Sequence, residues 1–128
     1  MTSVYLADAK LDELSALRLM LRDLNLNVVG EANNWATLLN QVTASNPDMV
    51  LVDWSVIEND CEMSLNNLRS RCPATSTIVL VSEWDAREQA ARSTGADLFI
   101  SKCDSTGYVK DHLKAAAENA QNKKVFGT

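Results

Sequence analysis

The chain alternates between short unbroken apolar runs and longer stretches in which apolar residues recur every three or four positions. The runs are VYLA (4–7), NVVGEA (27–32), MVLV (49–52), TIVLV (77–81) and DLFI (97–100). Each is too short for a helix and rich in Val, Ile and Leu. Continuous rather than alternating apolar character marks strands covered on both faces, as in a parallel sheet. Between the runs the spacing is helical. Leu11, Leu14, Leu17, Leu21 and Leu24 form one stripe of an amphipathic helix. Leu38, Leu39 and Val42 mark a second helix, and Met63, Leu65 and Leu68 a third. Ala86, Ala90 and Ala91 mark a fourth, closed by Gly95 as a C-cap. Val109, Leu113, Ala116, Ala117 and Ala120 mark a fifth, opened by Asp104 or Ser105 as N-cap. Strand and helix therefore alternate along the chain, and crossovers between parallel strands are right-handed. The expected fold is α/β: a single doubly wound parallel sheet of five strands with five helices on two faces. It spans residues 1–120, and QNKKVFGT (121–128) reads as a polar, fraying tail or linker stub.

Composition narrows the class. A length of 128 residues with 46% hydrophobic and 23% charged residues suits one domain with a real core. The net charge of −5 disfavours direct binding to nucleic acid or to anionic lipid, since both require a basic face. Cys61, Cys72 and Cys103 are odd in number and widely spaced, which points away from disulfides and zinc and toward a reducing cytoplasm. The opening MTSVYLADAK lacks the pattern of a signal peptide. No apolar run approaches the roughly 18 residues of a membrane span.

The chemistry lies at the strand ends. In a doubly wound sheet ligands bind beyond the carboxyl edge, where the winding changes direction. The first run ends at Asp8, the third at Asp53, the fourth at Ser82, and Lys102 closely follows the fifth. An ionised carboxylate at the end of a buried strand is costly unless it is solvated, paired or coordinated. Taken singly, each residue has an ordinary reading as a turn residue, a cap or a solvated surface group. Together they form a coherent set. Two carboxylates hold a hard cation such as magnesium. The cation and an ammonium neutralise a phosphoryl group. A carboxylate serves as nucleophile in forming an aspartyl-phosphate, and a hydroxyl donates a hydrogen bond to it.

With those residues in place, the chain resembles a two-component response regulator receiver domain over residues 3 to 120. The matching pieces are LAD (6–8), VVGEA (28–32), PDMVLVD (47–53), TIVLVS (77–82), GAD (95–97) and FISK (99–102). VVGEA and K-x-D-S at 102–105 are most similar to the nitrate-response or FixJ-like branch of transcription regulators. The resemblance implies strand order 2-1-3-4-5 and phosphoryl transfer to Asp53 from a histidine kinase or phosphotransfer protein. It also implies Mg2+ held by Asp8, Asp53 and the backbone carbonyl of Ser55. Ser82 takes the place of the switch hydroxyl, Phe99 that of the switch aromatic, and Lys102 that of the phosphate-binding lysine. The output face, open to an effector domain, a partner protein or a second copy in a homodimer, is built by the fourth helix, fifth strand and fifth helix.

Some positions depart from the family pattern. The family carries two adjacent acids after the first strand, the second a direct magnesium ligand; here the sequence is Asp8–Ala9. The following Ala16-Leu17-Arg18 aligns Asp8 with the first acid and Ala9 with the second; a one-residue slip, which fits that helix less well, would make Asp8 the second acid. Loss of a carboxylate weakens magnesium binding. Glu83 replaces the small residue after the switch serine, where it either repels a phosphoryl donor or reaches the cation. Cys103 replaces the proline after the lysine. Ala9 and Glu83 support an alternative: an atypical receiver-like interaction module that works without phosphorylation.

Other residues read as structural. His112, the single histidine, has no ligand partner in sequence. Cys61 and Cys72 are small apolar fillers. Trp35 and Trp84 open helices, and Glu58, Asn59 and Asp60 cap the third. A flavin carrier lacks its glycine-rich phosphate loop in DAKLDE, and an aspartate-based phosphatase lacks its second acid at Ser55.

Overall fold

A computed structural model describes residues 2–57, 61–81, 96–101 and 106–126. The strands are β1 (Ser3–Ala7), β2 (Asn27–Ala32), β3 (Met49–Asp53), β4 (Ser76–Val81) and β5 (Leu98–Ser101). All pair in parallel, in the order β2-β1-β3-β4-β5, as the sequence led us to expect. The helices among the described residues are α1 (Leu11–Asp23), α2 (Trp35–Ser45), α3 (Cys61–Arg71) and α4 (Thr106–Phe126), with a 3-10 turn at Trp54–Val56. The fourth helix expected from sequence, the capping residues Glu58, Asn59 and Asp60 and the caps at 104–105 lie outside the described residues. Helix α4 is the expected fifth helix. It continues through Phe126, past the end of its apolar stripe, so residues 121–126 of the expected polar tail are helical. QNKKV contains no helix breaker before Gly127.

Strand position decides burial. The central strands β3 and β4 are buried at every residue, whereas the edge strand β2 is buried only at Ala32. Alternate side chains serve opposite faces. Val4, Leu6, Met49, Leu51, Ile78, Leu80 and Ile100 meet Leu14, Leu17 and Leu21 of α1 and Val109 and Leu113 of α4. On the other face Tyr5, Ala7, Val50, Val52, Val79 and Val81 meet Trp35, Leu38 and Val42 of α2 and Leu65 and Leu68 of α3. The amphipathic stripes thus lie against the sheet. Trp35 is core, as expected, with Asn34 capping α2 by accepting the Thr37 N–H at 2.8 Å. Cys72 is a buried thiol outside any disulfide that donates to the Val42 carbonyl at 3.7 Å. His112 is half-buried and its ring lies 3.9 Å from that of Tyr108.

The amino-terminal edge of the sheet is fastened by two aspartates. Asp48 Oδ2 accepts from the Ser3 N–H at 2.8 Å and the Ser3 hydroxyl at 3.2 Å. Asp97 Oδ2 accepts from the Thr77 N–H at 2.7 Å, and the Asp97 N–H donates to the Thr77 carbonyl at 2.8 Å. Among the described residues no helix is long and apolar enough to cross a membrane.

Candidate metal centre

The carboxyl edge uses aspartates differently. The order 2-1-3-4-5 places the reversal of winding between β1 and β3. Asp8 directly follows β1, its N–H donating to the Ala32 carbonyl at 3.1 Å, and Asp53 is the last residue of β3. Both are buried, Asp8 completely and Asp53 to 3% exposure. Each folds back on its own backbone. Asp8 Oδ1 accepts the Lys10 N–H and Asp53 Oδ1 accepts the Ser55 N–H, both at 3.0 Å. Such turns are typical of aspartate and fix the carboxylate orientation. Asp8 Oδ2, fully buried, has no hydrogen-bond partner among the described residues. A buried polar atom in that state carries its full desolvation cost unless something binds it.

A third acid completes the group. One oxygen each from Asp8, Glu13 and Asp53 lies within 4.8 Å of the other two. Glu13 occupies the first turn of α1, and helical side chains lean toward the amino terminus of their helix. A first-turn glutamate therefore reaches back to the strand end that precedes it. In a capping box the acid at this helical position binds the N–H of the N-cap residue. Here that N–H, from Lys10, already donates to Asp8.

The electrostatics follow from burial. Desolvation pushes the Asp8 carboxyl up to about 7, helped by its contact with Glu13 and by the charges of Asp53 and Glu13, and opposed by the Lys10 N–H. Two ionised carboxylates are both acceptors, so a close contact between them is satisfied only by a proton or a cation. The oxygen-only donor set suits a hard divalent cation, bound at about 2.0–2.1 Å for magnesium or about 2.3–2.6 Å for calcium.

The structure brings together Asp8 and Asp53, as the sequence suggested. Ala9 is exposed, and its methyl group offers no ligand. Ser55 lies in the 3-10 turn directly after Asp53. Phe99 sits on β5 opposite Val79, partly buried against the core on the α2 and α3 face. Ser82, Glu83, Trp84 and Lys102 lie outside the described residues. Sequence reasoning missed Glu13. The available signal was an acid at the third helical position after a strand-terminal aspartate, in DAKLDE.

A doubly wound sheet with buried aspartates at its switch point defines a class of acid-pocket α/β domains. A family model for the response regulator receiver domain matches residues 4–115, and the chain belongs to that family. Its members are regulatory signalling domains rather than conventional enzymes. The match does not assign the chain to the nitrate-response or FixJ-like branch.

Solved structures share the fold. A response regulator receiver domain protein from Clostridium thermocellum is 19% identical with TM-score 0.81, and 100% of each chain is covered. The signal receiver domain of an HD domain-containing protein from Pseudomonas fluorescens Pf-5 is 20% identical with TM-score 0.81, covering 98% of this chain and 93% of that one. The isolated receiver domain of RcsB from Salmonella enterica serovar Typhimurium, solved with the phosphomimetic BeF3−, is 21% identical with TM-score 0.79, covering 91% and 88%. At these identities the likeness concerns the fold. Among curated proteins no relative matches.

Proposed function

We propose that this chain accepts a phosphoryl group on Asp53 from a histidine kinase or phosphotransfer protein, and that the modification switches an output face. The observation that carries this reading is the pocket itself: a buried, strand-terminal Asp53 grouped with Asp8 and Glu13 at the switch point of the sheet. In the transfer, an Asp53 carboxylate oxygen attacks phosphorus as the donor's phosphorus–nitrogen bond breaks, and the leaving imidazole takes up a proton. Magnesium, when bound by Asp8, Asp53 and the Ser55 carbonyl, supplies charge neutralisation for the phosphoryl oxygens. Lys102 pairs with the phosphoryl oxygens. The Ser82 hydroxyl donates to the phosphate, and Phe99 follows its movement, biasing two packings of one element.

The output face would comprise β5, α4 and the fourth helix that the sequence predicts around Ala86, Ala90 and Ala91. It would engage an effector domain, a partner protein or a second copy. Residues 1–120 form the receiver unit, acting in the cytoplasm. Its charge of −5 leaves DNA contact, in a transcription regulator, to another domain.

The test is phosphotransfer from a labelled small-molecule donor with Mg2+, comparing the native chain with Asp53→Ala and Ala9→Asp. The native chain acquires label and Asp53→Ala does not. Beryllofluoride with Mg2+ saturably changes the fluorescence of Trp54, and Trp54→Phe assigns the signal. A second reading rests on Ala9 and Glu83: a phosphorylation-independent interaction module. Label appearing only in Ala9→Asp, with no beryllofluoride response in the native chain at millimolar Mg2+, selects that module.

A further inference from the structure

The exposed Ala9 leaves the pocket one acid short of the pattern its family uses, yet three carboxylates still converge there. We infer that Glu13, carried on the first turn of α1, supplies the cation-binding carboxylate that position 9 lacks. The inference rests on the metal reading of the pocket given above and adds the identity of its third acid.

Two independent observations support it. The first is geometric: Glu13 offers an oxygen within 4.8 Å of oxygens from both Asp8 and Asp53, a span that one cation bridges directly or through a bound water. The second is the completely buried Asp8 Oδ2, without a hydrogen-bond partner among the described residues, on a side chain that itself belongs to that cluster. Neither Glu13 nor Asp53 can satisfy it while ionised, because carboxylates only accept. A cation satisfies all three at once. Glutamate suits the new location. Its long side chain leaves the first turn of α1 in the direction of the strand end that precedes the helix.

A first-turn acid also stabilises its own helix through the macrodipole. Lys10 Nζ lies 3.9 Å from Glu13 Oε1, a surface contact of little energetic weight. These roles need no cation, and an internal control isolates them. Asp12 lies in the same turn, is exposed, and is absent from the cluster.

The experiment titrates Mg2+ alone into the 128-residue chain by calorimetry, with thermal unfolding measured in parallel with and without the ion. Glu13→Gln weakens Mg2+ affinity on the order of tenfold and shrinks the stabilisation by the ion. Asp12→Asn leaves the affinity unchanged. Adding Ala9→Asp to Glu13→Gln restores binding by returning the acid to the loop. Equal affinity in Glu13→Gln and the native chain overturns the inference while leaving the metal reading intact, and so does a loss of metal-free stability without a change in affinity. A native chain silent to millimolar Mg2+ overturns both.

Discussion

At the scale of single residues, Tyr5 shows how tightly the β1–β2 edge is built. Its ring is fully buried, and its hydroxyl donates to Gln41 Oε1. Burial, with a smaller push from Glu31, raises the phenol above its ordinary value, so the donor keeps its proton. The strand pairing slips beside it: Val4 faces Val28, but Tyr5 faces Gly30. A Cβ at Gly30 would stand 2.5 Å from Tyr5 Cε2 and 2.8 Å from Cδ2. Gly30→Ala therefore costs about 1–3 kcal/mol by overpacking, read from the urea midpoint. Asp8 behaves in the opposite sense. Asp8→Asn removes a buried charge from among like charges, keeps an oxygen for the Lys10 N–H and gains an amide that donates to Glu13 or Asp53. The metal-free protein gains about 1–2 kcal/mol at pH 8, by urea denaturation, and loses its response to Mg2+. A loss of stability in that variant would contradict the account of the pocket as a site held at a cost.

At the scale of elements, α1 carries Glu13 and is tied to the sheet by Arg18. The guanidinium donates through Nε and Nη2 to both oxygens of Glu31 on β2. Arg18 holds the Glu31 carboxyl below its ordinary 4.5 and outweighs the effect of burial. The folded value is lowered, so the stabilisation is fully present above the unfolded value near 4.5. It is lost as the pH falls through the lower folded value. Arg18→Gln is therefore less stable than the native chain at pH 7, and the gap closes toward pH 3, as paired urea titrations will show. The elements themselves were legible in the sequence because each announces its period: unbroken apolar runs at β3 and β4, and the leucine stripe at α1. The Asp8–Asp53 pair was legible too, since both acids interrupt apolar runs at strand ends. Glu13 was not, because an acid in a first helical turn looks the same whether it faces solvent or a pocket. Only the packing of α1 on β1 distinguishes the two. The length of α4 was also hidden, since residues 121–126 carry helix-forming side chains without an apolar stripe.

At the scale of the whole molecule, the same residue type does opposite work at the two ends of one sheet. Asp48 and Asp97 give their oxygens to backbone N–H groups of neighbouring strands. Asp8 and Asp53 each give one oxygen to a local turn, and their carboxylates meet Glu13 in the shared pocket. The amino-terminal rim is thus a seam, and the carboxyl-terminal rim is a mouth. Retailoring the mouth, by dropping an acid from the loop and regrowing one from a helix, leaves the stitches of the seam untouched. A lineage can change what such a domain holds, or how firmly, and inherit the same scaffold unchanged.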